Sequence, residues 1–208
     1  MKPTNYRIPR KPELKGPNDR LQNNNLGAVG FAINGAAIFN PYDIHCCDAG
    51  LYELNALDMC YAHPNGDRGN YHYHVWSPCV AACTGESELI GIALDGFPIY
   101  GPGINPQTGK VWSQSDMDIC GGKLDSDGNY AYYTTVDFPY MLQCYRGKTD
   151  FTENLNGQFR PNGECGFYNE FCNHSGPQFQ QLIQRNLTDP TEQWLDQALQ
   201  IYHLTDKV

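Results

Sequence analysis

A twelve-residue segment occurs twice in this 208-residue chain, and the duplication restricts the fold more than any other feature. Gly30-Phe31-Ala32-Ile33-Asn34-Gly35-Ala36-Ala37-Ile38-Phe39-Asn40-Pro41 aligns without a gap onto Gly91-Ile92-Ala93-Leu94-Asp95-Gly96-Phe97-Pro98-Ile99-Tyr100-Gly101-Pro102, with five identities. Each copy sets Asn-Gly or Asp-Gly between short apolar runs, which predicts a β-hairpin with a two-residue turn needing positive φ. The correspondence continues at offsets of 61, 60 and 59, pairing Asp58 with Asp118, Cys60 with Cys120, Gly69-Asn70-Tyr71 with Gly128-Asn129-Tyr130, and Tyr73 with Tyr132. A repeat of this length stacks or pairs with its copy to share a core. The expectation is a mainly β, mainly antiparallel, duplicated domain with pseudo-twofold symmetry over residues 29–147, repeat 1 spanning about 30–89 and repeat 2 about 91–147.

The flanks differ from this unit. Residues 1–28 read as a basic, Pro-rich extended arm, since residues 1–20 hold six Lys and Arg against Glu13 and Asp19 while the whole chain carries a net charge of −9. Such an arm is either a solvated tail or a strap on its own acidic body or on a neighbour's. Residues 148–208 read as a Cys-containing loop followed by two short helices that pack on the domain or on a partner. The second helix is announced by Asp189-Pro190-Thr191-Glu192, which combines an N-cap, a proline at the first helical position and a capping acid. So acidic a body disfavours nucleic acid as a partner, and no apolar run is long enough for a membrane span.

Nine cysteines, Cys46, Cys47, Cys60, Cys79, Cys83, Cys120, Cys144, Cys165 and Cys172, are more than an ordinary cytosolic protein carries and do not form paired CxxC units. They predict disulfides and a secreted or cell-surface location. The sequons at Asn173 and Asn186 agree with a glycoprotein. No apolar leader opens the chain, so secretion is inferred from chemistry alone. An odd count leaves one thiol free or paired elsewhere.

The run Tyr71-His72-Tyr73-His74 places two imidazoles on one face of an extended strand and two phenols on the other. In the second copy Ala131 and Tyr133 stand where the first has His72 and His74, and Lys123 stands for His63; both tyrosines persist. The tyrosines therefore read as architecture. His63, His72 and His74 read as a set with a separate task, and convergent imidazoles suit copper or zinc. His45 is a further candidate ligand, beside Cys46 and Cys47, which would be soft ligands if reduced. Asp125-Ser126-Asp127-Gly128-Asn129 begins like a calcium loop but lacks the distal acid, so it reads as an Asx-rich turn and calcium ranks below the transition metals.

Ala32-Ile33-Asn34-Gly35, Gly69-Asn70-Tyr71-His72-Tyr73-His74, Ala93-Leu94-Asp95-Gly96-Phe97-Pro98-Ile99-Tyr100-Gly101 and Phe138-Pro139-Tyr140 with Cys144-Tyr145-Arg146-Gly147 resemble the YHYH-domain family, over about Val29 to Gly147. The resemblance implies a secreted or surface domain with no assigned activity. Members commonly carry Tyr-His-Tyr-His in both halves, whereas this chain has Tyr130-Ala131-Tyr132-Tyr133 in the second, so only His63, His72 and His74 carry over.

The residues point first to an extracellular module for assembly, adhesion or matrix contact, able to self-assemble through the arm and holding any metal for structure. A copper oxidase or zinc hydrolase at the histidines is the alternative, with Asp58 or Asp67 as the nearby base; a calcium- or mineral-binding matrix protein is the third. No nucleophile motif or phosphate loop favours an enzyme.

Overall fold

The computed structural model describes residues 6–15, 22–23, 27–45, 47–66, 69–80, 89–105, 107–135 and 138–149. Cys46, Asp67, Cys83, Cys165, Cys172, both sequons and the two expected C-terminal helices lie outside the described residues.

The short strand β1 (Gln22–Asn23) pairs with β10 (Cys144–Tyr145). The remaining strands are β2 (Ala28–Ala32), β3 (Ala37–Phe39), β4 (Ala62–Asn65), β5 (Asn70–Tyr73), β6 (Leu89–Ala93), β7 (Pro98–Tyr100), β8 (Gly122–Leu124) and β9 (Tyr130–Tyr133). They form one eight-stranded sheet in the order β4-β5-β3-β2-β6-β7-β9-β8. Exchanging each strand of the first copy for its counterpart in the second reverses this order onto itself, so the sequence duplication has a topological counterpart. Its centre is the antiparallel pair β2–β6, in register Gly30↔Ala93, Phe31↔Ile92 and Ala32↔Gly91. Both equivalent glycines are required by close approach: a Cβ on Gly30 would lie 2.6 Å from the Ile92 carbonyl oxygen, and one on Gly91 2.6 Å from that of Phe31.

One expectation is corrected. The hairpin turns are three-residue loops. Gly35 N–H donates to the Ala32 carbonyl at 2.8 Å and Ala32 N–H to the Ala36 carbonyl at 2.9 Å, a pattern repeated at Gly96, Ala93 and Phe97. One left-handed glycine per turn, Gly35 at φ 87° and Gly96 at φ 91°, suffices where the type I′ turn favoured by Asn-Gly and Asp-Gly would require two such residues. The expected mainly antiparallel pairing is present, with two parallel exceptions that make the sheet mixed: β3 pairs parallel with β5 and β7 with β9. Parallel neighbours need a crossover. In the first copy it runs through the helix α1 (Ala49–Tyr52), a 3-10 turn at Leu54–Ala56 and the edge strand β4.

Beneath the sheet, Val29, Ile38, Ile99, Tyr132, Leu142 and Tyr145 are fully buried and form the centre of a continuous core. Cys60–Cys79 and Cys120–Cys144 are disulfides, and their first cysteines are equivalent in the two copies. Cys47 is disulfide-bonded as well, which removes its thiolate from the ligand candidates. Residues 6–15 of the arm lie on the chain's own domain: Tyr6 meets Phe31 edge to face at 4.7 Å, and Lys15 N–H donates to the Arg146 carbonyl at 2.7 Å.

Candidate metal centre

The first copy delivers three imidazoles to one end of the sheet. His63 on the edge strand β4 stands directly opposite His72 on β5, and His74 follows two residues beyond His72, just past the strand end. Their ligand nitrogens all lie within 4.8 Å of one another. His72 and His74 are almost wholly buried, at 3% and 4% exposure. Phe39 stacks on His72 with ring centroids 3.8 Å apart and meets His74 edge on at 5.7 Å. Tyr73, expected on the opposite face, is buried too, so this end of β5 is covered on both sides.

The backbone sets the tautomer of both inner rings. His72 Nδ1 is 2.9 Å from the Asn70 carbonyl oxygen and His74 Nδ1 is 2.6 Å from that of Asn40. A carbonyl only accepts, so each Nδ1 carries a proton and donates it. Each neutral ring then presents a lone pair at Nε2, and the two Nε2 atoms face one another at 3.0 Å. Two lone pairs at that distance repel unless a cation lies between them. An added ring proton is disfavoured there, because burial lowers the pKa of His74 and brings that of His72 down to about 4. Ring N–H groups held by backbone carbonyls, with the second nitrogens convergent, are the usual arrangement of metal-ligating histidines.

Glu53, the C-cap of α1, enters the same space and was not anticipated from sequence. Its Oε2 is 3.2 Å from His63 Nε2 and 3.3 Å from His74 Nε2. Neither Glu53 Oε2 nor His63 Nε2 makes a hydrogen bond, although both atoms are buried. Burial pushes the Glu53 carboxyl upward, but contact with His63 and attraction to the imidazoles when they carry charge outweigh it and hold the pKa below the usual value. The carboxylate is thus the ionised form. The available signal was the repeat itself, since the offset that pairs Asp58 with Asp118 sets Ser113 opposite Glu53. A comparison confined to histidines misses it.

The other candidates lie apart from this cluster. His45 is exposed, on the loop where Asp43 Oδ1 accepts its backbone N–H at 2.8 Å, and is outside the three-histidine group. Asp58, considered as a base, instead closes a turn: its Oδ1 accepts the Cys60 N–H at 2.8 Å, and its Oδ2 accepts the Tyr71 hydroxyl at 2.7 Å. Asp125 accepts the backbone N–H groups of Asp127 and Asn129 in the exposed turn between β8 and β9, the Asx-turn arrangement.

Fold and site together define a disulfide-containing, mainly β domain with a buried three-histidine cluster able to hold a metal ion. The YHYH protein family matches residues 5–110, about half of the chain, and the chain belongs to that family. The match begins in the basic arm, so residues 6–15, which pack on the domain, fall within it. No curated protein and no solved structure matches the chain. The disulfides fit an oxidising compartment, and among the described residues no helix is long and apolar enough to cross a membrane.

Proposed function

We propose that this protein is an extracellular YHYH-domain glycoprotein that works as an assembly or binding module, with zinc or copper held by His63, His72 and His74. One observation carries the metal reading: the Nε2 atoms of His72 and His74 lie 3.0 Å apart while both Nδ1 protons are committed to backbone carbonyls. Neutral imidazole suits either metal, and depth of burial favours an ion that braces the fold. Other subunits or matrix components are the partners such a module would meet, and the disulfides support its working outside the reducing cytosol.

Metal analysis of natively purified protein tests the reading. The expected result is one zinc or copper per chain in the wild type and none in the double variant His72→Ala, His74→Ala. Wild-type protein that holds no metal and takes none up after chelation and dialysis against zinc or copper would refute it.

A further inference from the structure

We propose that Glu53 is the fourth protein ligand of this metal, so that the site is closed by side chains and keeps no position for water. The inference rests on the metal reading above and adds to it a ligand and a coordination number.

Distances support it first. A tetrahedral ion with bonds of about 2.0–2.1 Å has ligand-to-ligand edges of about 3.3–3.4 Å. Three of the six edges are close to that length, 3.0 Å between His72 and His74, 3.2 Å between Glu53 and His63, and 3.3 Å between Glu53 and His74, while the three histidine ligand atoms all lie within 4.8 Å of one another. Glu53 Oε2 therefore stands at ligand-edge distance from two of the three histidines. An outer carboxylate would instead hydrogen-bond the far nitrogen of a ligating ring, and for His72 and His74 backbone carbonyls already take that place.

The second argument is satisfaction. Glu53 Oε2 is buried without a hydrogen bond, and among the described residues no lysine or arginine pairs with it. A carboxylate facing the lone pair of His74 is repelled unless a cation sits between them.

Delivery is the third. Ala49 N–H donates to the Pro41 carbonyl at 2.9 Å, which pins the start of α1 beside Asn40, and Glu53 N–H donates to the Ala49 carbonyl at 3.0 Å at its end. One segment thus supplies both the carbonyl that orients His74 and the carboxylate that would complete the shell. The second copy, lacking the histidines, lacks the carboxylate as well. There the Lys123 ammonium lies 2.7 Å above the centre of the Trp112 ring.

Cobalt(II) loaded into chelator-stripped full-length protein provides the test. Wild type is expected to show the intense visible bands of a four-coordinate ion, unchanged by added azide. In Glu53→Gln, azide should shift those bands, and the zinc dissociation constant should rise by more than about 100-fold, beyond the usual effect of losing an outer-shell partner. If wild-type cobalt protein responds to azide, or if Glu53→Gln binds zinc as tightly as wild type, Glu53 is not a ligand while the three-histidine reading stands. If the wild type takes up neither cobalt nor zinc, both readings fall. The wild-type azide measurement needs no variant, so a folding defect in Glu53→Gln does not blunt the test.

Discussion

Tyr132 and Tyr73 occupy equivalent positions and their hydroxyls bond the equivalent side chains Asp95 and Asn34, yet the direction of the bond and the surroundings differ. Tyr132 donates to Asp95 Oδ2 at 2.6 Å and accepts the Arg146 N–H at 2.8 Å, with Asp95 fully buried and also receiving the Gly147 N–H at 2.9 Å. Tyr73 accepts from the Asn34 side-chain amide at 2.9 Å, and Asn34 is exposed. Removing a hydroxyl costs most where its partners cannot turn to water. Tyr132→Phe is expected to lose about 2–3 kcal/mol in urea denaturation and Tyr73→Phe about 1 kcal/mol or less; equal losses would contradict this ordering. Tyr71 and Tyr130 form a second such pair, donating to Asp58 and Asp118 respectively. These four tyrosines were legible as architecture because they recur. Glu53 is legible only through the repeat, where Ser113 stands opposite it; it lies ten residues before His63 at no metal-binding spacing.

The short helix α1 owes its position to Asp48, whose side chain accepts the Leu51 N–H as N-cap and the Tyr140 hydroxyl at 3.2 Å. Burial raises the Asp48 pKa to about 6 despite those bonds, and Asp43 adds repulsion. A carboxyl whose folded pKa exceeds its unfolded value of 3.8 holds its proton more tightly in the folded state. Its contribution is fully present below pH 3.8 and declines as pH rises through about 6. Asparagine caps as well as aspartate but does not ionise. For metal-free protein, Asp48→Asn should therefore gain urea midpoint relative to wild type between pH 4 and pH 7. Parallel pH profiles for the two proteins would count against a buried, raised Asp48. Hairpins and helix caps of this kind follow from local residues. The parallel pairing of β3 with β5 does not, because it is decided by where a thirty-residue connection returns, and nothing in Asn40–Gly69 encodes that register locally.

At the scale of the molecule, two copies of one plan share a central strand pair but stabilise their outer ends by different means. The second copy is covered by its own chain: Gly147 and the Tyr132–Asp95 network close one side, and the arm crosses the turn at Gly96 through Pro9. The first copy has an exposed turn at Asn34-Gly35 and, at its outer edge, the four convergent groups of Glu53, His63, His72 and His74. A metal there would join α1 to β4 and β5. A ligand held by the folded state alone stabilises it by about 4 kcal/mol at a free concentration 1,000 times the dissociation constant. Chelation should therefore lower the thermal midpoint, and amide exchange should show where the loss falls. Faster exchange is expected in α1, β4 and β5, while the equivalent strands β8 and β9, held by Lys123 over Trp112 and by Arg146 on Asp118 at 3.2 Å, keep their protection. Uniform acceleration across both copies would mean that the metal supports the sheet as a whole; acceleration confined to the first copy would place its work at the edge the histidines occupy.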